Sequence, residues 1–276
     1  MPGTLVLCAT PIGNLSDVSQ RLREALAAAD IVYCEDTRRS GKLIAGLGLR
    51  VPLRSYFVAN EAARSIELAE HLRRGETVVL ITDAGMPTVA DPGLTAVRAA
   101  LEVEAVVTVV PGPSAVTAAL AVSGLPSERF VFEGFLPRKQ EQQAARLTEL
   151  ASEPRTVVLF VAASRAAREL AALADNCGSD RPVAVARELT KLHEEVWRGT
   201  LGGAADHYRE QPPKGELTVV VGGAPVLPGD MDAAIATVRT LVDDGTLFSE
   251  AVKRAAGAHG VRRRLLYESA RRHLDL

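Results

Sequence analysis

The chain reads as an α/β protein, with two α/β domains built on largely parallel sheet and a small C-terminal helical module. Three observations lead there. Seven short, nearly continuous apolar runs rich in valine have the length and composition of strands buried on both faces. Helical patterns separate most of these runs, and such alternation specifies a parallel sheet covered by helices. Residues 226–276 drop the strand pattern and keep only the helical one.

The expected strands are Leu5 to Ala9, Ile31 to Cys34, Val78 to Ile81, Val106 to Val110, Thr156 to Val161, Val183 to Ala186 and Leu217 to Val221. The expected helices are Val18 to Ala29 after a Ser16 cap, Asn60 to Arg73, Leu94 to Leu101, Ala115 to Ser123, Gln140 to Ala151 and Arg165 to Ala174. Pro111-Gly112-Pro113-Ser114 and Gly124-Leu125-Pro126 punctuate the middle and mark a domain junction. The expected domains are therefore 1–114, 115–225 and, after Gly222-Gly223-Ala224-Pro225 and Leu227-Pro228-Gly229, the module 226–276. Within that module Phe248-Ser249 opens a segment resembling a helical hairpin.

No stretch approaches the roughly 20 apolar residues of a membrane span, and the N-terminus lacks a signal-peptide pattern, so a cytoplasmic protein without membrane contact is expected. Cys8, Cys34 and Cys177 are odd in number and far apart, which suits buried thiols and neither disulfides nor a metal site. A net charge of −2 argues against coating nucleic acid through bulk electrostatics. A local basic surface exists all the same. Between Leu247 and Leu276, Lys253, Arg254, Arg262, Arg263, Arg264, Arg271 and Arg272 face only Glu250, Glu268 and Asp275, giving +4 there and −6 elsewhere. That segment reads equally as a helix pair packed on protein or as an RNA contact.

In open parallel sheets, ligands bind beyond the carboxyl ends of the strands, where free backbone N–H groups converge. Three punctuated loops stand at such ends: Thr10-Pro11-Ile12-Gly13-Asn14, Thr82 to Gly93, and Pro111-Gly112-Pro113-Ser114. Each alone reads as a strand-to-helix turn. Together they point to a site, and the second holds two carboxylates and two Gly/Pro pairs, in Asp83-Ala84-Gly85-Met86-Pro87 and Ala90-Asp91-Pro92-Gly93. Glu35 stands where a ribose-binding acid of a dinucleotide fold would, yet the first loop has one glycine where G-x-G-x-x-G has three. That counts against a Rossmann site and against the glycine-rich methyltransferase fold; no Walker motif is present either.

Glu35-Asp36-Thr37-Arg38-Arg39 reads either as a solvated cap of ion pairs or as arginines for phosphates beside a carboxylate that orients a hydroxyl. Phe132-Glu133-Gly134-Phe135-Leu136-Pro137-Arg138-Lys139 sets aromatics beside cations, which suits an unpaired base and its phosphate, although both phenylalanines also suit a core. Arg187-Glu188-Leu189-Thr190-Lys191-Leu192-His193-Glu194-Glu195 reads as an exposed helix start.

Through these motifs the sequence resembles the ribosomal RNA small subunit methyltransferase I family of the tetrapyrrole (corrin/porphyrin) methylase superfamily, over residues 4 to 223 with a weaker echo beyond. Carrying it are Ala9 to Leu15, Glu35-Asp36-Thr37-Arg38, Asp83 to Pro87 with Asp91-Pro92-Gly93, Pro111 to Ser114, Phe132 to Lys139 and Arg187 to Lys191. The resemblance implies S-adenosylmethionine in a cleft between two α/β domains, a homodimer, and 2′-O-methylation of a cytidine in the decoding region of 16S rRNA, free or in the 30S subunit. Carried over residue by residue, it implies cofactor contacts at Pro11, Met86, Val89, Ser114 and Ala115, and from the second domain at Val161, Leu189 and Gly215. Asp83 is added as a carboxylate near the sulfonium or amino group. One departure stands out. Where the family usually runs F-Y-E-S-P-H-R, this chain has Phe160-Val161-Ala162-Ala163-Ser164-Arg165-Ala166, with Ala162 for the acid and Arg165 for the histidine.

A ribose hydroxyl is a poor nucleophile at neutral pH, so a group that accepts or polarises its proton is required. Asp36 and Lys191 are the candidates, the lysine only if its pKa is depressed, with Arg38, Arg138 and Lys139 on phosphates. Two rival readings share the scaffold: a methylase of a tetrapyrrole precursor, against which the Glu35-to-Arg39 loop and the Arg138-Lys139 pair speak, and a noncatalytic RNA- or ribosome-binding protein.

Overall fold

The computed structural model describes residues 2–225 and 230–273, which divide into a unit ending at Gly223 and a second beginning at Ala224. The first unit holds two five-stranded sheets. In the first, β1 (Thr4–Cys8), β2 (Ile31–Cys34), β3 (Leu53–Ser55), β4 (Thr77–Ile81) and β5 (Val106–Val110) lie in the order β3-β2-β4-β1-β5, all parallel. Alternate side chains of its central strands feed two cores. Leu5, Tyr33, Val78 and Leu80 pack against Leu68 and Leu72 of α3 (Glu61–Arg73) and Ala96 and Ala100 of α4 (Leu94–Glu102). Val6, Cys8, Val32, Val79 and Ile81 pack on the other face against Leu22 and Leu26 of α1 (Gln20–Ala28) and Ile44 of α2 (Thr37–Gly46). Burial on both faces is why these strands read as continuous apolar runs.

The second sheet corrects the expectation of parallel strands. It orders β6 (Phe130–Phe135), β7 (Thr156–Ala162), β8 (Pro182–Arg187), β9 (Glu195–Thr200) and β10 (Glu216–Val221) as β6-β7-β10-β8-β9. Only β6 and β7 run parallel; β10 is antiparallel to both neighbours, and β8 and β9 form an antiparallel pair. The reason lies in residues 188–194, expected to begin a helix. Glu188 at φ 51° and Thr190 at φ 66° are left-handed, which breaks a helix and turns the chain back as a hairpin. One face of this sheet packs on α6 (Gln140–Ala151), α7 (Ala166–Cys177) and α8 (Leu201–Glu210). The other receives Val116, Ala119 and Leu120 of α5 (Ala115–Ser123), together with Ile12 and Val89 from the loops after β1 and β4.

Several elements escape the hydrophobic pattern. The polar run expected as a loop at Thr37 is α2, started by the Asp36 side chain, which accepts from Arg38 N–H at 2.8 Å. β6 is interrupted by a register shift between Phe132 and Gly134, with Gly134 at φ 73°, which hides its alternation. β3 is three residues long, and β9 is an exposed edge strand. The first helix begins at Gln20 rather than at Val18. Asn14 caps a short 3-10 turn at Leu15–Asp17, and the Ser19 hydroxyl, not that of Ser16, accepts from Leu22 N–H at 3.0 Å.

The second unit is helical, with α9 (Met231–Asp243), α10 (Phe248–His259) and α11 (Arg263–His273) around Ala234, Val238, Val252, Ala255 and Leu266. The turn expected at Leu227-Pro228-Gly229 lies outside the described residues. Among the described residues no helix is long and apolar enough to cross a membrane. The thiols of Cys8, Cys34 and Cys177 are free; the first two are buried and the third half-buried.

The capping assignment makes a prediction. Ser19→Ala should destabilise the chain by about 1 kcal/mol, whereas Ser16→Ala should stay within about 0.5 kcal/mol of the parent, as read from urea unfolding midpoints.

Candidate active site

The loops after β1 and β4 are tied together at the carboxyl edge of the first sheet. Thr10 N–H donates to Gly85 O at 2.9 Å, Gly85 N–H returns a bond to Thr10 O at 3.1 Å, and the Thr10 hydroxyl donates to Thr82 O at 3.0 Å. Gly85 sits at φ 84°, where a side chain is strained. The two strapped loops form a partition. Ile12, Ala84, Gly85 and Met86 face a cavity on one side, while Thr10, Pro11, Thr82 and Asp83 face a depression on the other.

The cavity is about 340 Å³ and mostly apolar, within the range of small-molecule sites. Its first wall continues through Val89, Ala90 and Asp91 of the β4 loop to Ser114 and Ala115 at the start of α5. Ser114 makes no side-chain cap, so its hydroxyl leaves the first N–H groups of α5 without that acceptor. The second sheet supplies the opposite wall from Phe135, Phe160 to Ala163, Leu189, Lys191 and Gly215 to Thr218. Phe160 meets Phe132 and Phe135 at ring-centroid distances of 5.1 and 5.5 Å. Phe132 packs into the core, and Phe135 stays exposed at the cavity mouth.

The β4 loop is strained where it borders the cavity. Thr88 at φ 76° and Ala90 at φ 63° are left-handed non-glycine residues, a conformation costing about 1–2 kcal/mol each. Its far end is pinned by Glu61, whose Oε1 accepts from Gly93 N–H at 3.0 Å and Thr95 N–H at 3.3 Å. Burial pushes the Glu61 carboxyl up, but these bonds outweigh it and hold the group below its ordinary range.

Two charged groups from the second sheet complete the wall. Lys191 Nζ donates to Glu188 Oε1 and to Glu216 Oε2, each at 2.9 Å. Burial pushes the ammonium pKa down, yet these two carboxylates outweigh burial and hold it above its usual value. These contacts favour its charged form, which speaks against the role of a base. Its stem lies against the first loop, since a Cβ on Gly13 would collide with Lys191 Cγ. At Gly215, φ 90° and the Glu188 carboxylate leave no room for a side chain.

The structure brings Met86, Val89, Ser114, Ala115, Val161, Leu189, Gly215 and Lys191 together around one cavity. Six other expected residues lie elsewhere. Pro11 lines the depression beyond the partition. Asp83, placed near a cofactor by the sequence, also lines that depression: its Oδ2 pairs with Arg39 Nη1 at 2.7 Å and its Oδ1 accepts from Asp36 N–H at 3.3 Å. Asp36 itself caps α2 and pairs with Arg38 at 3.0 Å. Arg38's hydrogen bonds, side-chain first and backbone second, pull its pKa down to about 2, too weak a base for a hydroxyl proton. Arg38 is spent on that pair and is 88% exposed. Arg138 and Lys139 are exposed, and their side chains make no hydrogen bond or ion pair with a described residue.

The sequence names Asp91 as one of two loop carboxylates and within a family motif, but assigns it no role. Asp91 lines the cavity half-buried, with its pKa pushed up to about 6, first by burial and then by the nearby Glu35 carboxylate. Glu35 is raised in turn by burial and by Asp83. A carboxylate next to two residues of left-handed backbone becomes visible as a site only once those dihedrals are known.

Residues 4–205 match the family of tetrapyrrole (corrin/porphyrin) methylases. The chain belongs to that family and is a methyltransferase. It is similar to the protein named ribosomal RNA small subunit methyltransferase I in Mycobacterium tuberculosis (strain CDC 1551 / Oshkosh), with 46% identity over 97% of this chain and 94% of that protein. The protein of the same name in Xylella fastidiosa (strain Temecula1 / ATCC 700964) is 44% identical over 96% of this chain and 98% of its own. Among solved structures, uroporphyrin-III-C-methyltransferase from Thermus thermophilus shares the fold, with TM-score 0.57 and 21% identity over 80% of this chain and 94% of that one.

Gly215→Ala should lower unfolding free energy by more than Gly124→Ala does. Both residues sit at positive φ, but only Gly215 faces a wall, so the excess over the roughly 1–2 kcal/mol of backbone strain measures the collision with Glu188.

Proposed function

We propose that this chain transfers the methyl group of S-adenosylmethionine to the 2′ oxygen of a cytidine ribose in the decoding region of 16S ribosomal RNA. The observation that carries this reading is near full-length identity of 44–46% with proteins named for small-subunit ribosomal RNA methylation. The cavity supports it. A pocket of about 340 Å³ with apolar walls and backbone donors that Ser114 does not cap fits a nucleoside-bearing methyl donor. Met86, Val89, Ser114, Ala115, Val161, Leu189 and Gly215 would hold that donor, which supplies an electrophilic sulfonium methyl when bound. The chain's own part is to align an acceptor oxygen with that methyl and to manage the oxygen's proton.

The depression behind the partition supports a nucleic acid as the acceptor. Pro11, Leu15 and Leu43 give it an apolar lining, and Arg39 and Lys42 give it charge. Asp83 holds Arg39 in place. Lys42 is exposed and makes no ion pair or hydrogen bond with a described residue, so its charge is available to a phosphate. Arg138 and Lys139, equally unengaged, extend the same reading on the second sheet. The uroporphyrin and precorrin methyltransferases among the solved structures are 19–21% identical to this chain and speak only for its fold.

Action on the ribosomal small subunit supports a cytoplasmic location. A homodimer belongs to the same reading, because β5 is an edge strand with Val106 and Val109 exposed, a surface that a second copy would cover. The division of the first unit after Ser114 is also kept, since α5 starts there and packs on the second sheet.

Transfer of labelled methyl to purified 30S subunits lacking the modification should yield one labelled ribose in 16S rRNA; label on a base, or none, sinks the assignment. Lys42→Ala should weaken RNA binding across sequences and reduce the slope of log affinity against log salt by about 1, with cofactor affinity unchanged by calorimetry.

A further inference from the structure

Three ionisable side chains line the cavity among the described residues: Asp91, Lys191 and Glu216. Lys191 and Glu216 bind each other at 2.9 Å, and Lys191 is further held by Glu188. Among the described residues, Asp91 has no cation within ion-pairing distance. Its neighbours are carboxylates, Glu35 from the end of β2 and Asp83 from the end of β4. The cavity therefore contains one carboxylate that no positive charge has neutralised.

The backbone around Asp91 shows how firmly it is held. Thr88 and Ala90 are left-handed, and Thr88 is β-branched, a residue type that rarely tolerates this conformation. The loop keeps that shape through the Thr88 N–H to Pro92 O bond at 3.3 Å and the two bonds to Glu61 beyond it. Strain persists where surrounding structure over-determines it, and here it presents a single carboxylate to the cavity.

We propose that Asp91 is the catalytic base, accepting the proton of the acceptor hydroxyl as the methyl group is transferred. The inference rests on the ribose-oxygen acceptor proposed above. The hydroxyl oxygen forms a bond to the methyl carbon, the carbon–sulfur bond breaks with its electron pair remaining on sulfur, and the O–H proton passes to an Asp91 oxygen. Neutral thioether, ether and carboxylic acid result, and the acid returns its proton to water. The other candidates fail on chemistry. Asp36 is held at about 2 by Arg38 and lies off the cavity, and Lys191 stays protonated between two glutamates.

The electrostatics agree with the geometry. An ordinary aspartate is a weak base, but burial and Glu35 bring Asp91 to about 6, close to working pH yet ionised at neutrality. The charges facing it are Glu35 and Asp83 on the first sheet's side, with Arg39 beyond Asp83, and the Lys191–Glu216 pair on the other. Because the deprotonated form is active, the rate should fall as pH drops through about 6 and level off above 7.

The test is single-turnover methyl transfer to 30S subunits by the full chain at saturating S-adenosylmethionine from pH 5 to 9, with cofactor affinity measured separately by calorimetry. Asp91→Asn should slow transfer by roughly 10²–10⁴-fold and lose the acid limb, with cofactor affinity changed less than about threefold. Glu35→Gln should move the limb to lower pH, since it removes a negative charge that raises Asp91. Asp91→Asn at parental rate with label on the ribose overturns the proposal, as does a loss that excess cofactor restores, which would make Asp91 a cofactor ligand. Label on a base overturns the acceptor reading itself, a failure distinct from that of Asp91.

Discussion

Thr10 and Gly85 exchange a pair of backbone hydrogen bonds across the carboxyl edge of a parallel sheet, at a place where the strands that precede them have already ended. Without that pair the loops after β1 and β4 would each wander as ordinary strand-to-helix turns. With it they become one wall with two sides. Gly85 makes the strap possible because its φ of 84° is costly for any residue with a Cβ. The residues before and after the strap then separate by side: Pro11 and Asp83 fall on the depression, Ile12 and Met86 on the cavity. Adjacent residues on one strap thus reach different chemistry, which is why Pro11 and Asp83 do not join the cavity expected to hold a cofactor.

A second constraint comes from the opposite sheet. Lys191 is placed by a hairpin whose left-handed residues forbid helix, and its stem presses on the first loop where only glycine leaves room. Glu188 and Glu216 neutralise its charge. The lysine therefore acts as a strut, closing the cavity between β8, β10 and the first loop. Arg39 also feels Glu216, so the charges of the two edges are balanced against each other across the partition.

The aspartates show how strongly surroundings divide one side-chain type. Asp36, capping a helix and paired with an exposed surface arginine, is held near 2. Asp91, half-buried beside another carboxylate and without a cation, rises to about 6. Environments that push like groups apart are how a site assigns acid and base roles. Asp83 serves a third purpose by fixing Arg39 and accepting from the Asp36 backbone.

The apolar runs at Leu5, Ile31 and Val78 determined the centre of the first sheet, because strands buried on both faces need apolar residues at every position, and the run at Val106 supplied its exposed edge strand. The punctuated loops likewise marked the edge where the site lies, since glycine and proline record unusual backbone wherever they occur. Elements that draw their stability from caps, bulges and edges stayed hidden: α2 begins with a polar run, β6 is broken at Gly134, and β9 faces solvent. Which carboxylate stands half-buried with a raised pKa was likewise beyond the sequence, where Asp36, Asp83 and Asp91 are equivalent letters. Only tertiary structure decided it, because burial, the reach of an arginine and the nearness of Glu35 depend on segments dozens of residues apart.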